Sequence, residues 1–461
     1  MGHDCAFLTD LLPTDRVAVG ESERDEHAAD WGGERAGMAV RPDAVVYPES
    51  TDEVSQVLAA CDQRGVPVTP YAAGTALEGH AVPVERGVSM DLTRMDAVLD
   101  VRPADHQIDV QPGVIGTAVD DAVERHGLFF PPLPSSGSLS TVGGMIATDA
   151  SGMGTVKYGE VGDWVLELEA VLADGRVVTA GATAKKTSSG YNLADLLVGS
   201  EGTLAVVTRA TLELAGRPEQ VRGGRAVFPD LASAAEAAAD AVRSGVDLAK
   251  IELVDATAAR IANDYLETPL PETPMLFVAF HADHGVEQEV DFCESIFESH
   301  ALERFDRADR ARMGDLWAAR EELGFALQEY DPDRNELQPG DVTVPISAYP
   351  DIVAYASERS AEADLTTPCF GHAGDGNLHY SVLVDRDDPD ELERGRTVYA
   401  DVIDRALELG GTATGEHGVG LGKRKYLERE HGAATVDAMR AIKDALDPNG
   451  TLNPGKVFLD A

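Results

Sequence analysis

The 461-residue chain has 81 Asp and Glu against 38 Lys and Arg, which gives a formal net charge of −43, and 43% of its residues are hydrophobic. The length and hydrophobic content suit two or three domains with buried cores and argue against a single small module. A field this negative repels phosphate backbones and anionic lipid, so nucleic acid binding and unaided membrane binding are both disfavoured.

The acidic residues admit two interpretations, an acidic tail or an acidic surface suited to a salt-rich cytosol. Acidic runs at 21–26 and 385–393 are far apart in the chain rather than gathered at one end. At about 1 M salt the Debye length falls to roughly 3 Å, which screens self-repulsion. We therefore expect a halophilic protein.

The sequence contains neither a cysteine framework nor an apolar segment long enough to span a membrane. No CxxC pair joins the four cysteines, so neither a disulfide scaffold nor an iron-sulfur site is indicated. The N-terminus lacks a basic region followed by an apolar run, and about 18 apolar residues never occur together. These features predict a soluble, cytoplasmic protein without a transmembrane segment.

The first half of the chain predicts an α+β fold. Residues 1–36 are polar and acidic, and we expect them to be poorly ordered or loosely docked. Ser50 to Glu53 has the spacing of a capping box, which predicts a helix ending at Gly65, with a strand at 66–69. Asp174-Gly175 predicts a hairpin turn within 166–178, and 204–214 predicts another strand.

The second half predicts longer helices separated by single strands, and so a second α+β domain. The helices are expected at 231–243, 286–300, 308–329, 349–363 and 390–409, and the strands at 250–254, 275–281, 342–346, 366–371 and 378–384. A final segment carries one amphipathic helix that ends near Leu446. The predicted division is 1–36, 37–216, 217–410 and 411–461.

Three loops rich in small residues occur in the first half, at 70–79, at 134–144 continuing to Gly152, and at 199–203. Such loops let backbone amides approach an anion closely, which suits a pyrophosphate, although a single loop of this kind could be an ordinary turn. Neither the G-x-G-x-x-G fingerprint nor the G-x-x-x-x-G-K-[ST] loop is present, so a Rossmann NAD site and an NTPase lack sequence support.

Two histidines in the second half have the spacing of a hairpin pair. His372 and His379 flank a segment in which Gly376 favours a tight turn, and Glu416 and His417 lie in a later glycine-rich loop. Two imidazoles and a carboxylate suit Zn²⁺ or Mn²⁺ with one position open. The alternative is a pair of half-buried sheet histidines bonded to the backbone.

In their order and spacing, these motifs resemble the FAD-linked oxidases of the vanillyl-alcohol oxidase/PCMH superfamily, in the branch of D-lactate dehydrogenases, glycolate oxidase FAD subunits and D-2-hydroxyglutarate dehydrogenases. The resemblance runs from about Arg41 to Val457. It is carried by 70–81, 110–113, 134–136, 143–144, 199–204, 371–379, 415–418 and 452–456. It implies a PCMH-type FAD-binding domain of two α+β subdomains, an α+β substrate domain and a short helical C-terminal segment.

The resemblance also implies which residues bind FAD. They are small or polar residues of the three loops and the Asn of the terminal motif, namely Ala72, Ala73, Gly74, Thr75, Gly79, Pro134, Thr141, Gly143, Gly144, Thr148, Gly152, Glu201, Gly202 and Asn453. The usual Arg-Gly-x-Gly-Thr-Gly pattern is replaced here by Tyr71-Ala72 and Ala76, which leaves the path of the first loop open. Thr75 stands near where relatives with covalent flavin have His and so favours noncovalent FAD, although His80 is close in sequence.

By the same resemblance, His372, His379 and Glu416 would bind the metal and His417 would be the base. Arg320 would bind the substrate carboxylate, or else pair with an acid on a helix surface. The implied activity is oxidation of a small D-2-hydroxy acid. A monocarboxylate is favoured because Gly324, Gly340 and Ser381 offer little to a second carboxylate, and D-lactate is the preferred candidate.

Electrons would pass to an external quinone, cytochrome or electron-transfer flavoprotein. Peripheral association with a membrane through that acceptor is compatible with the sequence. A homo-oligomer is allowed as well. The alternatives are a glycolate oxidase FAD subunit and a non-catalytic flavin electron-relay subunit.

Overall fold

The computed structural model describes residues 2–459, except for the side chains at 313, 315, 316, 318, 319 and 321. The chain forms two compact units. Unit 1 comprises Met1–Ser151, Glu160–Arg217 and Glu416–Ala461, and unit 2 comprises Gly152–Gly159 and Pro218–Gly415.

Unit 1 contains two main sheets. A four-stranded sheet has the order β1-β2-β4-β3, in which β2, β4 and β3 are parallel, and a five-stranded antiparallel sheet has the order β5-β6-β10-β8-β9. The strands are β1 (Val17–Ala18), β2 (Ala44–Val46), β3 (Val68–Tyr71), β4 (Val88–Asp91), β5 (Val98–Arg102), β6 (Gln107–Val110), β7 (Leu128–Phe129), β8 (Val165–Val171), β9 (Val177–Gly181), β10 (Val206–Glu213) and β11 (Ala215–Gly216). Each main sheet has its own apolar core. The predicted hairpin around Asp174-Gly175 is confirmed by the pairing of β8 with β9.

The N-terminal segment is part of this unit, so the prediction that residues 1–36 are poorly ordered or loosely docked is wrong. Leu8 and Leu12 are buried in the core of the four-stranded sheet. Val17 and Ala18 pair with Val46 and Val45 as its edge strand. The polar composition of the segment concealed these few apolar side chains, whose burial contributes to ordering it.

Unit 2 is built on a seven-stranded antiparallel sheet with the order β15-β12-β14-β13-β17-β18-β16. Its strands are β12 (Gln220–Val227), β13 (Lys250–Val254), β14 (Met275–Ala282), β15 (Arg304–Asp309), β16 (Asn335–Thr343), β17 (Cys369–His372) and β18 (Asn377–Val384). The strands of the predicted pair β17 and β18 form an antiparallel hairpin in which Phe370 lies opposite His379.

Helices pack on these sheets. They are α1 (Glu21–Glu26), α2 (Trp31–Arg35), α3 (Thr51–Arg64), α4 (Gly116–Val123), α5 (Val142–Thr148), α6 (Thr155–Tyr158), α7 (Leu193–Leu197), α8 (Leu231–Arg243), α9 (Ala256–Leu266), α10 (Val286–Glu298), α11 (Arg310–Glu321), α12 (Leu323–Glu329), α13 (Tyr349–Glu362), α14 (Pro389–Glu408), α15 (Arg424–His431) and α16 (Ala433–Leu446). Short 3₁₀ helices lie at Ala6–Asp10, Thr14–Arg16, Glu124–His126, Val161–Trp164 and Ile346–Ala348.

Most of the predicted elements are present, with a few corrections. Ser50 caps α3 by accepting from the Glu53 amide, and Gly65 ends that helix with φ +63°. The helix predicted at 308–329 is two helices, and the single helix of the last segment is preceded by a second one that ends at Gly432, where φ is +79°. In the second half the prediction omitted α9, β12 and β15 and placed β16 at 342–346, and in the first half it made no assignment for several elements, among them β4, β6 and α5. The α+β class is confirmed.

Among residues 2–459, the structure has no helix whose length and apolar character would let it cross a bilayer. Cys5, Cys61, Cys293 and Cys369 are free and buried. Burial raises the pKa of the Cys5 thiol to about 11 and that of Cys61 to about 12, so neither is a reactive thiolate near neutral pH.

Candidate functional site

The first and second glycine-rich loops of unit 1 are joined by a chain of hydroxyl groups. Thr75 Oγ1 lies 3.1 Å from Ser140 Oγ, which donates to Ser136 Oγ at 2.8 Å. Directly after Ser140, Thr141 caps α5 by accepting from the Gly144 amide at 3.1 Å. The two loops that the sequence assigned to the cofactor are therefore neighbours in space.

The third loop and the terminal motif join the same assembly. The amide of Glu201 donates to the carbonyl of Ala147 in α5 at 2.8 Å. Asn453 Nδ2 donates to the carbonyl of Glu201 at 2.8 Å and to that of His80 at 3.1 Å. Unit 1 thus brings together four predicted segments that are far apart in sequence.

The N-terminal segment holds the first loop in place, which sequence reasoning missed. The amides of Trp31 and Gly32 donate to the carbonyls of Gly74 and Ala76 at 2.8 and 3.0 Å. A Cβ on Gly32 would lie 1.8 Å from the Leu77 carbonyl oxygen, so only glycine fits there. A signal was available in the Gly32-Gly33 pair, because adjacent glycines often mark close backbone approach.

The path of the first loop, which the sequence left open, accommodates a tyrosine. The Tyr71 ring lies 4.4 Å from the His27 ring, and its hydroxyl donates to the Glu26 carbonyl at 3.3 Å. A Cβ on Gly74 would lie 2.4 Å from that hydroxyl, and Gly74 has φ +67°. Ala72 and Ala73 form the short connection between these two residues.

The other predicted cofactor residues lie in unit 1, with one exception. Gly79 and Gly202 have φ of +77° and +68° and face Leu421 and Pro70, and a Cβ on Gly143 would lie 2.5 Å from Pro112. The remaining members are Pro134, whose carbonyl accepts from Gly137 at 2.9 Å, and Thr148, whose hydroxyl donates to Gly144 at 3.2 Å. Gly152 belongs to unit 2, where its amide donates to Thr155 Oγ1 at 3.0 Å.

A buried ion pair lies beside these loops. His80 Nε2 is 3.3 Å from Glu201 Oε2, and the Glu201 carboxylate accepts from the amides of Val419 at 2.6 Å and Gly420 at 2.8 Å. Burial would lower the pKa of His80, but the Glu201 charge outweighs it and raises that pKa. Burial would raise the pKa of Glu201, but His80 and the two amides hold it below its ordinary value. Both groups are therefore charged together between their ordinary pKa values of 4.5 and 6.5.

Glu416 and His417, the predicted metal ligand and base, begin the last stretch of unit 1. Glu416 Oε2 accepts from Ser151 Oγ at 3.3 Å, and His417 Nε2 lies 3.8 Å from Glu416 Oε1. Both side chains are largely buried, with exposed fractions of 16% and 11%. Ser151 lies at the end of the second glycine-rich loop, so this loop contacts Glu416.

In unit 2 the two predicted metal-ligand histidines lie side by side on the β17–β18 hairpin. Their ring centroids are 5.1 Å apart with the rings nearly perpendicular, and one nitrogen of each lies within 4.8 Å of the other. His372 is 4% and His379 7% exposed. The two imidazoles are therefore close enough to be candidate ligands of one divalent ion.

Each histidine has a buried carboxylate opposite it on the strand that flanks the β17–β18 hairpin. Glu252 on β13 is the register partner of His372, and its Oε1 lies 2.7 Å from His372 Nδ1. Asp341 on β16 is the register partner of His379, with 3.9 Å between Oδ1 and Nδ1. The result is a row of Glu, His, His and Asp across four adjacent strands, in which His372 pairs with a carboxylate rather than solely with backbone. Sequence reasoning named only the histidines.

Arg320 is buried, so the alternative interpretation that it lies on a helix surface is wrong. The pairing with an acidic residue that this alternative included is nevertheless present. Arg320 Nε and Nη2 lie 2.8 and 2.7 Å from Glu252 Oε2, and the guanidinium lies 5.0 Å from the centroid of the Phe370 ring. Burial would raise the pKa of Glu252, but the charges of His372 and Arg320 hold it below its ordinary value. One ionised carboxylate thus serves both a histidine and an arginine.

Asp341 fixes the backbone that leads to Glu416. Its Oδ2 accepts from the Thr414 hydroxyl at 3.0 Å and from the Gly415 amide at 2.8 Å, while Oδ1 accepts from Asn377 Nδ2 at 2.7 Å. Because Gly415 is the residue before Glu416, this anchoring determines where the Gly-Glu-His-Gly segment starts.

The chain matches two protein families along most of its length. Residues 42–181 match the FAD binding domain family, and residues 217–457 match the family of FAD linked oxidases, C-terminal domain. The chain belongs to the FAD-linked oxidases. The family resemblance inferred from the motifs is thereby confirmed, and this FAD-linked oxidase is an oxidoreductase with an FAD-binding domain in its first half.

Relatives of this FAD-linked oxidase share about a third of its residues. It is 37% identical over 447 residues to the probable mitochondrial D-lactate dehydrogenase of Danio rerio, covering 96% of this chain and 89% of the relative. It is 37% identical over 428 residues to glycolate oxidase subunit GlcD of Bacillus subtilis, covering 90% and 89%. A third relative, 35% identical with 90% and 73% covered, is the mitochondrial D-lactate dehydrogenase [cytochrome] of Arabidopsis thaliana.

Solved structures show the same fold at lower identity. p-Cresol methylhydroxylase with substrate bound aligns with a TM-score of 0.79 at 19% identity, covering 98% of this chain and 96% of that one. Alkyldihydroxyacetonephosphate synthase aligns with a TM-score of 0.77 at 20% identity, covering 98% and 86%. The predicted PCMH-type architecture is confirmed.

Proposed function

We propose that this FAD-linked oxidase is an FAD-dependent dehydrogenase that oxidises a small D-2-hydroxy acid, with D-lactate the preferred substrate, to the 2-oxo acid. The observation that carries the proposal is the buried Glu252 carboxylate, which joins a histidine of the predicted metal set to the predicted carboxylate-binding arginine. An electron-relay subunit needs FAD but has no use for such an arrangement. The names of the relatives support the same substrate class.

Arg320 would bind the substrate carboxylate through the edge of its guanidinium that Glu252 does not occupy. The guanidinium has five N–H donors, and Glu252 engages Nε and one donor of Nη2. Its planar fork suits bidentate binding of a second carboxylate. With Glu252 already offsetting one positive charge, a monocarboxylate rather than a dicarboxylate is the better match.

His417 would take the proton of the α-hydroxyl group. A neutral imidazole is suited to this because its ordinary pKa lies near neutral pH. Glu416, beside His417 in the chain, would complete the metal set with His372 and His379, and nitrogen and oxygen donors of this kind suit Zn²⁺ or Mn²⁺. A bound metal would polarise the hydroxyl group, and bound FAD would accept a hydride equivalent from the α-carbon.

FAD would be bound noncovalently by the loops of unit 1. Thr75 cannot form a histidyl link, and its hydroxyl already bonds with Ser140. His80, the nearby alternative, is buried beside Glu201. Acid precipitation of the purified protein is expected to release all the flavin into the supernatant, and flavin that remains with the protein would contradict noncovalent binding.

The electrons would pass to an external acceptor, a quinone, a cytochrome or an electron-transfer flavoprotein. The cytochrome in the name of the Arabidopsis relative favours a cytochrome. A glycolate oxidase FAD subunit is the second candidate, favoured by the 37% identity to the Bacillus subtilis subunit. A cytoplasmic location, peripheral membrane association, a homo-oligomeric state and a salt-rich environment stay predictions from the sequence.

The test is anaerobic reduction of the purified, metal-loaded flavoprotein in high salt by D-lactate, L-lactate, glycolate and D-2-hydroxyglutarate, each with and without chelator. Rapid, chelator-sensitive bleaching by D-lactate is expected. Preferential bleaching by glycolate would favour the second candidate. If FAD is bound and none of the four acids reduces it, the dehydrogenase proposal is wrong and the electron-relay alternative replaces it.

Two variants test the proposed base. His417→Ala is expected to bind FAD normally but to lose reduction by substrate at least 100-fold, in line with the typical contribution of general base catalysis. The matched control is His284→Ala, an exposed histidine of unit 2, which is expected to behave as wild type. Unchanged reduction in His417→Ala would exclude His417 as the base.

A further inference from the structure

We propose that Glu252 is a positioning residue that sets the geometry of metal binding and of substrate carboxylate binding at the same time. The inference rests on the proposed function and extends it to a residue outside the predicted metal and substrate-binding sets. Its basis is that one buried carboxylate contacts a predicted metal ligand with one oxygen and the predicted substrate-binding arginine with the other.

The two carboxylate oxygens of Glu252 contact different residues. Oε1 lies 2.7 Å from His372 Nδ1, and Oε2 lies 2.8 Å from Arg320 Nε and 2.7 Å from Arg320 Nη2. The Glu252 side chain is 0% exposed and sits on β13 directly opposite His372 in the sheet. Its position is therefore set by strand pairing, which is more rigid than a loop contact.

For His372, this contact determines which ring nitrogen is offered to a metal. An ionised carboxylate can only accept, so His372 Nδ1 must carry the proton and donate. In the neutral imidazole, the form that binds a metal, the lone pair is then on Nε2, the nitrogen that a metal would take. A carboxylate behind a metal-binding histidine also fixes the ring orientation and makes the histidine a stronger ligand, and removing such a partner typically weakens metal binding about 10- to 100-fold.

For Arg320, the same contact determines the direction in which its remaining donors point. A guanidinium only 5% exposed would be strongly disfavoured without a counter-charge. Glu252 supplies that charge on the Nε and Nη2 edge, and the Phe370 ring covers one face of the guanidinium. The Nη1 edge is then the one directed to a substrate carboxylate, so loss of Glu252 should raise KM for the hydroxy acid.

A purely structural ion pair makes a different prediction. It would stabilise unit 2 without influencing metal affinity or KM, and the pair of Glu391 with Arg334 provides a comparison of that kind. Glu391 is 7% exposed and lies 2.9 and 3.3 Å from Arg334 through its two oxygens, with neither histidine in contact. Glu391→Gln is therefore the matched control.

The experiment compares FAD-loaded wild type, Glu252→Gln and Glu391→Gln. Mn²⁺ affinity is measured from the EPR signal of the free ion, and stability is measured by urea unfolding. The kinetic constants kcat and KM are measured with D-lactate, or with whichever of the four acids reduces the flavin best. Glu252→Gln is expected to bind Mn²⁺ at least 10-fold more weakly and to have a KM at least 5-fold higher, with unchanged FAD content. Glu391→Gln is expected to lose stability alone.

Glu252→Asp is the second variant, used in place of Glu252→Gln if that protein does not fold. It retains the charge but is one methylene shorter, so it can reach His372 or Arg320 but not both, and at least one of Mn²⁺ affinity and KM should change. If the folded Glu252 variant has the same Mn²⁺ affinity and the same KM as the wild type, the inference is wrong. If wild-type protein itself neither binds Mn²⁺ nor is reduced by a hydroxy acid, the proposed function has failed instead.

Discussion

In unit 1 the segment 74–76 of the first glycine-rich loop is held by backbone amides and a hydroxyl group, whereas the strands of unit 2 carry their candidate site on buried charges. In unit 1, Gly74 and Ala76 are tied by backbone hydrogen bonds and Thr75 by a neutral hydroxyl contact. In unit 2, Glu252 and Asp341 are 0% exposed and bind charged or polar groups with both oxygens. Under the proposed function, this difference follows from the different demands of binding a large cofactor and of binding a small charged substrate.

A cofactor with many polar groups needs close backbone approach, so small residues in left-handed turns are favoured. A small anion and a metal need a few strong charges in fixed directions, so charged side chains on paired strands are favoured. Changes of backbone shape should therefore damage unit 1 most, and changes of charge should damage unit 2 most. Four predictions test this difference.

The largest effect is expected from Gly32→Ala. The added Cβ would lie 1.8 Å from the Leu77 carbonyl oxygen, which cannot move without displacing the first loop. We expect a loss of about 4 kcal/mol in the free energy of unfolding and purification without FAD. Gly216→Ala, where a Cβ meets nothing within 4 Å, is the control. Urea unfolding measures the stability of both variants, and flavin absorbance measures their FAD content. A Gly32→Ala protein with full FAD content would contradict the role given to the N-terminal segment.

The second effect is expected from Asp341→Asn. Asparagine can still accept from Asn377, but its amide group cannot accept from both Thr414 and Gly415, so buried donors lose their partner. We expect a loss of about 2 kcal/mol in the free energy of unfolding, together with weaker Mn²⁺ binding. Asp351→Asn, at an exposed position of α13, should change neither quantity. Retention of wild-type stability in Asp341→Asn would show that charge is not what holds this region.

How much of this could be predicted from the sequence depends on the distance between the partners. The histidine hairpin was predictable because His372, Gly376 and His379 lie within one short turn. Glu252 could not be predicted, because it lies 120 residues from His372 and meets it only through the strand order of the sheet. A lone Glu in an apolar strand carries no local signal of its partner.

The docking of the N-terminal segment could not be predicted for a similar reason. Its hydrogen bonds to Gly74 and Ala76 are between backbone groups, which leave no mark on side-chain composition. Its polar residues therefore outweighed Leu8 and Leu12 in the prediction, although both side chains are buried in the core of the four-stranded sheet. Gly-rich loops and paired motifs could be read locally, while the contacts that fix their shape could not.

The third effect is a pH dependence of stability in unit 1 that comes from a buried ion pair beside its loops, His80 with Glu201. The raised pKa of His80 means that its contribution is complete below its ordinary value of 6.5 and is lost as the pH rises through the folded-state pKa. The lowered pKa of Glu201 means that its contribution is present above its ordinary value of 4.5 and is lost as the pH falls through the folded-state pKa. The pair should therefore stabilise most between these two values.

Thermal unfolding of the FAD-free protein across this pH range measures the effect. Glu201→Gln should lower Tm most between pH 4.5 and 6.5 and flatten the profile. Glu213→Gln removes the partner of Lys185, which is 82% exposed, and should leave the profile unchanged, since surface pairs contribute little. Identical profiles for wild type and Glu201→Gln would mean that the pair is not charged in the folded protein.

The smallest effect is expected from Ser140→Ala, which removes the hydroxyl that joins the first two loops. Thr75 loses a contact of 3.1 Å and Ser136 one of 2.8 Å, while the backbone of both loops keeps its own hydrogen bonds. A neutral hydrogen bond contributes about 1 kcal/mol, so the Kd of FAD should rise roughly 5-fold. Ser138→Ala, at an exposed position of the same loop, should leave it unchanged in a flavin fluorescence titration. A rise in the Kd of FAD as large as the effect expected from a lost buried charge would contradict the distinction between the two units. A neutral contact in unit 1 would then matter as much as a charged contact in unit 2.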